Sequence, residues 1–262
     1  YSGLNYTPAS YNFLVRRARL KFDGYAFSPK LIYKVELGLS NRDISGANPY
    51  NRNTPRYILD AVLKWKFYKD FELWAGQTKL PGNIERVVSS ANLQLIDRSL
   101  LNSKFNIDRD MGIQLRHQSK LGGSWISREK LSLSQGEGRN ITEGNLGGLQ
   151  YTARLELLPF GKFESKGDYS QGDLAREKSI KAMFGFTYDY NQNAVKTRSN
   201  MGSYMNQTAG GLFETDINTV FLDGVIKYNG FALTGEYAKR TADTVEALEA
   251  DGKTKTGRVV NT

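Results

Sequence analysis

Hydrophobic and polar residues alternate along several long segments of the chain, and the clearest example is the segment 30–40. Every second position there is apolar, namely Leu31, Tyr33, Val35, Leu37 and Leu39. An alternation of about 10 residues matches a tilted β-strand that crosses a membrane, whereas strands of soluble sandwiches usually run about 5 to 6 residues. The length of the pattern therefore favours membrane-crossing strands.

The same period of two recurs throughout the chain and predicts ten strands. In the segment 149–157, for example, Tyr151, Ala153 and Leu155 alternate with Thr152 and Arg154. The ten candidate strands are 17–23, 30–40, 59–67, 71–76, 110–117, 128–135, 149–157, 181–190, 219–228 and 231–240. The pattern thus predicts an all-β protein, a transmembrane antiparallel β-barrel.

Composition supports this interpretation. The mean hydropathy of the 262-residue chain is −0.51, and no run approaches the 18 or so apolar residues that a membrane-spanning helix needs. A polar average fits a barrel because only every second strand residue has to meet lipid. The 15 Tyr, 13 Phe and 3 Trp suit aromatic belts at the two membrane surfaces, although aromatic residues also fit β-structure in general.

Several classes of protein are disfavoured. The chain has no cysteine, which excludes a disulfide framework and a thiolate metal site, and we expect no metal and no cofactor. The net charge of +9 could indicate nucleic-acid binding, but the basic residues alternate with apolar ones on strands and accompany no nucleic-acid motif. No charged start followed by an apolar stretch is present, so a secretory signal has been removed or was never included.

Short and long connections alternate between the predicted strands. Short turns are expected near 27–29, 69–70, 121–123 and 229–230, and long segments at 41–57, 79–109, 136–148 and 191–216. Bacterial barrels place short turns in the periplasm and long loops outside. The connection 159–178 is longer than its place in this series predicts, and the sequence offers no physical account of it.

This arrangement predicts an interior fragment of a barrel. If short turns are periplasmic, the first visible strand runs downward, whereas a bacterial barrel normally begins with an upward strand. Unpaired strand edges in hydrocarbon would cost several kcal/mol for each backbone group. We therefore expect residues 1–262 to form one outer-membrane barrel domain that lacks its first strand and its last several strands.

The strand face opposite the apolar one carries more basic than acidic residues. A water-filled bore lined in this way attracts anions, and Arg presents a fork of donors that matches phosphate oxygens. The alternative is a lumen held rigid by salt bridges. The candidate anion-binding residues of the lumen are Arg17, Arg19, Lys21, Lys34, Lys64, Lys66, Arg116, Arg128, Lys130 and Arg154.

The segment 79–109 is far longer than a usual connection, which indicates a functional loop or a disordered one. Its apolar residues argue against disorder and are expected to anchor it; they are Ile84, Val87, Val88, Leu93, Leu95 and Ile96. If one strand is missing, this is the third outer loop, which in general porins folds inward. It then contributes the constriction candidates Lys79, Arg86, Arg98 and Lys104; an ordinary packed surface loop is the alternative.

Four segments resemble the phosphate-selective porin O and P family. Residues 16–24 (Arg-Arg-Ala-Arg-Leu-Lys-Phe-Asp-Gly) and 29–31 are similar to its second strand and next hairpin, and residues 76–81 (Gly-Gln-Thr-Lys-Leu-Pro) to the start of its third loop. Residues 109–114 and 136–140 resemble the following strand and a later loop. The order of these segments, rather than any one motif, carries the resemblance.

This resemblance implies a sixteen-stranded, trimeric outer-membrane porin of a Gram-negative bacterium, of which about ten strands are present. In its phosphate-selective members an Arg-rich wall and lysines near the constriction bind the anion, and Arg17, Arg19 and Lys21 fall on the matching strand. We expect passive, non-enzymatic diffusion of small solutes with a preference for anions such as phosphate. Outer-membrane lipid is the other expected partner.

Two alternatives stay open at this stage. One is a barrel phospholipase, because His117 and Ser119 share the apolar face of their strand, although such a site also needs an orienting partner on a neighbouring strand. The other is a soluble β-rich binding protein, in which the apolar stripes would pack on one another. Extraction behaviour separates the soluble protein from the barrel.

Overall fold

The computed structural model describes residues 11, 13–41, 43–44, 46–143 and 146–262. Its strands are β1 (Arg19–Ala26), β2 (Ser28–Gly38), β3 (Ile58–Tyr68), β4 (Phe71–Lys79), β5 (Arg109–Gly122), β6 (Trp125–Ser134), β7 (Gln150–Leu158), β8 (Lys181–Ala194), β9 (Lys196–Arg198), β10 (Met201–Tyr204), β11 (Thr215–Tyr228), β12 (Phe231–Ala242), β13 (Glu246–Leu248) and β14 (Lys255–Val259). Two short α-helices, α1 (Ile84–Val87) and α2 (Leu100–Phe105), and two 3-10 helices, Ser90–Asn92 and Glu164–Tyr169, lie in the connections.

Ten of these strands form one antiparallel sheet in the order β1-β2-β3-β4-β5-β6-β7-β8-β11-β12. They correspond to the ten predicted strands, so the all-β prediction is confirmed. The strands β9 and β10, and β13 and β14, form two separate hairpins. Within the described ranges β1 and β12 are the edges of the sheet and do not pair with each other; the count of sixteen strands stays a prediction. In the described part of the chain, no helix is long and apolar enough to cross a membrane.

The predicted alternation of faces is also confirmed. On β7, Tyr151 and Leu155 are exposed, whereas Thr152, Arg154 and Glu156 are buried. We call the face with exposed apolar side chains the outer face and the opposite one the inner face. Exposed apolar side chains on one face and buried charged ones on the other are the reverse of a soluble sandwich, whose apolar residues face its core.

Leu59 is an exception to this alternation. Its position in the pattern predicts the outer face, but the side chain is only 2% exposed and lines an inner-face cavity. The register between β2 and β3 shifts at Glu36 and Leu37, opposite this point. Such an irregularity re-aims side chains, so the prediction for Leu59 is wrong.

The turn at Asn229 and Gly230 shows why the short connections are tight. Both residues have positive φ angles, 47° and 94°, as a two-residue type I′ hairpin requires. Asn tolerates this conformation better than most residues and Gly adopts it without a steric penalty. The turn closes the pairing of Tyr228 with Phe231.

The sheet curves around the loop 80–108. A flat sheet of ten strands would hold its edge strands roughly 40 Å apart. Here the backbone N–H of Glu85 donates to Glu236 on β12 at 2.5 Å, and Arg98, which donates to the carbonyl of Glu85 at 2.8 Å, lines the same cavity as Arg19 on β1. Both edges therefore approach the same short stretch of loop.

The loop 80–108 packs on the inner face through part of the predicted apolar set. Ile84 and Val88 join a buried cluster with Leu158, Met183 and Val225 of the sheet, and Leu93 packs against that cluster. Through these contacts the loop packs against the inner face, and its role as a constriction stays a prediction. Leu95 and Ile96 are 72% and 71% exposed, so their prediction as anchors is wrong. They lie between the two packed portions of the loop, where the chain crosses from one to the other.

The connection 159–180, whose length the sequence left unexplained, also folds onto the inner face. The ammonium group of Lys227 on β11 donates to the carbonyl oxygens of Gly167, Ser170 and Gly172. The backbone N–H of Gln171 donates to the carbonyl of Asn92 at 2.8 Å, which joins this connection to the loop 80–108. The extra length thus lets a connection from the short-turn end of the sheet reach the inward loop.

Candidate functional site

Three cavities lie in a row along the inner faces of β1 to β6. The loop-side cavity has a volume of about 380 Å³, the middle cavity about 210 Å³ and the turn-side cavity about 520 Å³. The first two share Arg19, Lys79 and Arg109, and the middle and turn-side cavities share Trp74 and Arg116. Shared lining residues show that the three cavities are neighbours in a row from the loop end to the short-turn end of the inner face, and we call this row the path.

Cross-strand register places the side chains that line the middle cavity. On β4, Trp74 lies directly opposite Lys64 of β3 and Gln114 of β5. Arg116 lies two residues beyond Gln114 and therefore points to the same face. The period of two along each strand thus aligns polar side chains in rows across the sheet.

A first group of lumen cations is neutralised around Asp60, which is 1% exposed. Lys34 lies 2.6 Å from one carboxylate oxygen of Asp60, and Arg109 lies 3.0 Å from the other. Arg19 and Lys34 also contact Glu36, at 3.1 and 2.7 Å. Arg19 also pairs with Asp43 at 2.7 Å, so three cations face three carboxylates in a charge-assisted network that stiffens the wall.

A second group is neutralised deeper in the inner face. Arg154, whose side chain is fully buried, donates to Glu156 at 2.8 Å and to Asp223 at 2.7 Å. Lys130 lies 2.5 Å from Glu156, and Arg128 pairs with Asp168 of the inward connection. For these residues the salt-bridge interpretation, which the sequence left open, is the one that the contacts favour.

Two of the candidate lumen residues lie away from the cavities. Lys21 pairs with Asp23 at 2.9 Å and Lys66 with Glu72 at 3.6 Å, and both lysine side chains are about half exposed. Neither lines one of the three cavities. Exposed pairs of this kind contribute little to stability.

The loop cations mostly hold the loop itself. The ammonium group of Lys79 donates to the carbonyl oxygens of Arg86, Val87 and Val88, and the guanidinium group of Arg98 donates to those of Glu85 and Val88. These bonds satisfy carbonyl groups that the short helix α1 leaves unpaired at its end.

Arg86 and Asp108 form an ion pair inside the loop-side cavity. Burial alone would raise the pKa of the Asp108 carboxyl, but the charges of Arg86 and Arg109 outweigh burial and hold that pKa well below its ordinary value. Burial lowers the pKa of Arg98 to about 10, and the nearby Arg86 adds to this shift, so Arg98 stays charged at neutral pH. Lys104 is exposed and lies outside the three cavities.

Lys64 and Arg116 differ from the paired cations. Among the described residues no carboxylate forms an ion pair with either of them, and each lies against the ring of Trp74 instead. The ring centroid is 3.9 Å from the Lys64 ammonium nitrogen and 3.6 Å from the central guanidinium carbon of Arg116. They are thus the candidate lumen cations of the middle cavity that form no described ion pair.

Arg17 and Arg139 add charge at the loop-side cavity. The guanidinium of Arg17 donates to the carbonyl of Ile96 at 3.0 Å, and that of Arg139 donates to the carbonyl of Asp43 at 2.6 Å. A carbonyl oxygen holds a guanidinium in place but leaves its unit charge, so both contribute to a positive field there.

Sequence reasoning missed several lining residues, namely Trp74, Arg109, Arg139, Lys162 and Lys166. A signal existed only for Trp74, because the alternation of Phe71, Leu73 and Ala75 assigns it to the inner face. Arg109 lies at the start of β5, Arg139 in the long connection between β6 and β7, and Lys162 and Lys166 in the connection 159–180. The alternation along the strands does not predict where these four side chains point.

The outer face carries a polar cluster near the short-turn end. His117 Nδ1 lies 2.9 Å from Glu129 of β6, and the Ser119 and Ser127 hydroxyl oxygens are 2.7 Å apart. Glu129 thus supplies the neighbouring-strand partner that a hydrolytic site needs. Within the described contacts, however, Ser119 makes no hydrogen bond to His117, and the imidazole stacks on Phe71. The constellation lacks its nucleophile–base contact.

An antiparallel sheet with an apolar outer face, a charged inner face and an inward loop defines a pore-forming protein of the outer-membrane type. The profile of the family described as phosphate-selective porin O and P matches residues 3–258. The chain belongs to this family of outer-membrane porins, as the resemblance of its segments predicted. A search of curated proteins gave no significant match.

Proposed function

We propose that this protein is a passive porin for small hydrophilic solutes that prefers anions, with inorganic phosphate as the first candidate. It acts without enzymatic chemistry and without a cofactor in the outer membrane of a Gram-negative bacterium, as a homotrimer surrounded by lipid. The observation that carries the proposal is the position of Lys64 and Arg116, two cations of the path that no described carboxylate neutralises.

The electrostatics of the path support a preference for anions. Unpaired cations in a water-filled space with low-dielectric walls raise the local concentration of anions and lower that of cations. Paired cations such as Lys34 contribute a dipole, which decays faster with distance than the field of an unpaired charge. The preference is therefore ascribed to Lys64 and Arg116 in the middle cavity, with Arg17 and Arg139 drawing anions towards the loop-side cavity.

The chemistry of the middle cavity fits a small oxyanion. Arg116 offers planar N–H donors and Lys64 a compact ammonium, a combination that suits the oxygens of phosphate. A volume of about 210 Å³ holds such an ion together with a few water molecules, because a water molecule occupies about 30 Å³. Because the cavity is hydrated and only two cations contact the anion, the anion can be attracted into the cavity and also leave it, as conduction requires.

The test is the reversal potential of the full-length porin in a planar bilayer under a chloride salt gradient, repeated with phosphate as a competitor. We expect an anion-selective reversal potential and a chloride current that falls as phosphate is added. The double substitution Lys64→Gln and Arg116→Gln is expected to weaken both effects.

Lys21→Gln is the control, because it removes one positive charge whose partner, Asp23, also lies outside the three cavities. We expect it to shift the reversal potential slightly and to leave the phosphate effect unchanged. A cation-selective wild type would overturn the anion preference. An anion-selective wild type whose current ignores phosphate would overturn phosphate as the solute.

A further inference from the structure

We infer that Trp74 is a positioning residue for anion passage, because its ring holds Lys64 and Arg116 as a fixed pair of charged groups where the middle and turn-side cavities meet. The inference rests on the proposed function and adds a residue that neither contacts the ion nor carries a charge. It makes the indole ring a determinant of how tightly the path holds an anion.

The geometry places one cation from each neighbouring strand against the same ring. Lys64 on β3 lies directly across from Trp74, and its ammonium nitrogen is 3.9 Å from the ring centroid. Arg116 on β5 reaches the ring from the opposite side in the sheet, at 3.6 Å. The indole N–H donates to Glu72 at 2.9 Å, which fixes the orientation of the ring. Both cations and the ring are thus tied to three adjacent strands.

A ring and a carboxylate restrain a cation in different ways. A carboxylate restrains it by neutralising it, as Asp60 does for Lys34 at 2.6 Å. The face of an indole ring attracts a cation through its quadrupole and leaves the net charge of the pair at plus one. Arg116 is also held by Gln114, to which its guanidinium donates at 2.7 Å, so without the ring it is chiefly the flexible Lys64 side chain that would move away from the like charge and sample many rotamers. Trp74 therefore keeps two full charges close together in a wet space.

A second aromatic ring provides an internal comparison. Arg128 and Lys130 lie 5.9 and 5.2 Å from the ring centroid of Tyr169. These two cations are already paired with carboxylates, namely Asp168 and Glu156. The ring of Trp74 is closer to Lys64 and Arg116, and neither of these cations is paired with a carboxylate. We therefore expect Trp74 to contribute more to the position of its two cations than Tyr169 does.

The first experiment measures the phosphate concentration that halves the chloride current through the full-length porin in a bilayer. We expect Trp74→Leu to raise this concentration about fivefold, the size of one cation–π contact at a partly hydrated site. Trp74→Phe, which keeps an aromatic face, is expected to restore most of the wild-type value. Trp65→Leu removes an exposed tryptophan of the outer face and serves as the control, with no change expected.

A double-mutant cycle separates positioning from simple filling of space. If Trp74 acts through Lys64, then Trp74→Leu adds little once Lys64→Gln is present, and the two effects are less than additive. Fully additive effects on the half-blocking concentration, or a Trp74→Leu porin with the wild-type value, would overturn the inference. A wild type that is not blocked by phosphate would instead overturn the proposed function.

A second readout does not depend on the Trp74→Leu porin folding. The chain has 3 tryptophans, so the variant Trp65→Phe with Trp125→Phe retains Trp74 as its single reporter. We expect phosphate to change its fluorescence, because the cations on the ring shift towards the anion. The response should vanish when Lys64→Gln and Arg116→Gln are added; an unchanged emission in the parent variant, or a response that survives these changes, would contradict the inference.

Discussion

The inner face of the sheet has two halves that treat their cations differently. In the packed half, β6 to β12, the loop 80–108 and the connection 159–180 cover the strands, and Arg154 lies between Glu156 and Asp223 with its side chain fully buried. In the open half, β1 to β5, the loop-side and middle cavities follow the strands, the turn-side cavity extends from there to β6, and Lys64 and Arg116 lie on an aromatic ring.

Desolvation explains the difference. A cation covered by protein loses its hydration and stays charged only when carboxylates and hydrogen-bond acceptors replace the water. A cation beside a cavity keeps part of its hydration and can remain without a carboxylate. The packed half therefore uses its charges to hold the fold together, while the open half leaves charges available to a solute. Substitutions in the two halves should affect different measurements.

The largest expected effect is the loss of Arg154. Arg154→Met leaves the buried carboxylates of Glu156 and Asp223 with fewer partners, which should lower the free energy of unfolding by about 3 to 5 kcal/mol. Urea unfolding in detergent micelles measures this change. Lys66→Met, at a half-exposed position of the open half, is the control and should change stability by less than about 0.5 kcal/mol. Equal effects at the two positions would contradict the division into halves.

The next effect concerns the anchor of the inward loop. Ile84→Ala removes a side chain that is 1% exposed and should destabilise the protein by about 2 to 4 kcal/mol, because the buried cluster is left with a cavity. The loop should also move more freely, so single-channel current should become larger or noisier. Ile96→Ala, at an exposed position of the same loop, should leave both measurements unchanged. A quiet, wild-type current from Ile84→Ala would show that this anchor does not hold the inward loop in place.

A smaller effect, on ion selectivity, is expected when cations of the open half lose the carboxylate that neutralises them. Asp60→Asn removes the carboxylate that lies against Lys34 and Arg109. Asp60 lines the middle cavity, and one added unit of net charge there should raise the anion-to-cation permeability ratio roughly threefold, because water screens the charge strongly. The reversal potential measures this ratio. Asp23→Asn is the control, since Asp23 lies outside the three cavities, and it should have a weaker effect.

The smallest expected effect on stability is a pH dependence outside both halves, in the connection between β6 and β7. Burial raises the pKa of Glu137 to about 7, and the nearby Asp110 carboxylate adds to the shift. The folded state therefore favours the protonated form, so stability should be highest near pH 4.5 and fall as the pH rises to 7. The expected loss is about 1 to 2 kcal/mol.

Glu137→Gln removes this titrating group and should make the stability profile between pH 4.5 and 7 less steep. Glu143→Gln changes an exposed residue of the same connection and should leave the profile as in the wild type. If stability falls between pH 4.5 and 7 as steeply in the Glu137→Gln protein as in the wild type, the titration belongs to another group.

The sequence predicted the strands well because a period of two is a local property of the chain. The alternation on β7 and the turn at Asn229 and Gly230 required no knowledge of partners. The roles of individual cations did not follow from the same pattern, because Lys34 and Lys64 occupy equivalent positions in the alternation. Only the register of neighbouring strands places Asp60 against Lys34 and Trp74 against Lys64.

Long-range contacts account for most of what the sequence did not reveal. The inward course of the connection 159–180 depends on carbonyl groups that meet Lys227 on a strand about 55 to 60 residues later. Leu95 and Ile96 are apolar and yet exposed, because composition indicates that a loop packs without telling which of its residues face the sheet. The resemblance of the segments to a porin family supplied the class of protein, which the family match confirms.

The three bonds of the Lys79 ammonium group link permeation to folding. All its N–H donors are used by carbonyl oxygens of the loop, although the residue lines two cavities of the path. A substitution of Lys79 would change the electrostatic field along the path. It would also remove the hydrogen bonds that hold the end of α1. Ion selectivity can therefore change during evolution more easily through substitution of Lys64 or Arg116. The charge of these residues can change while the hydrogen bonds that hold the loop 80–108 remain.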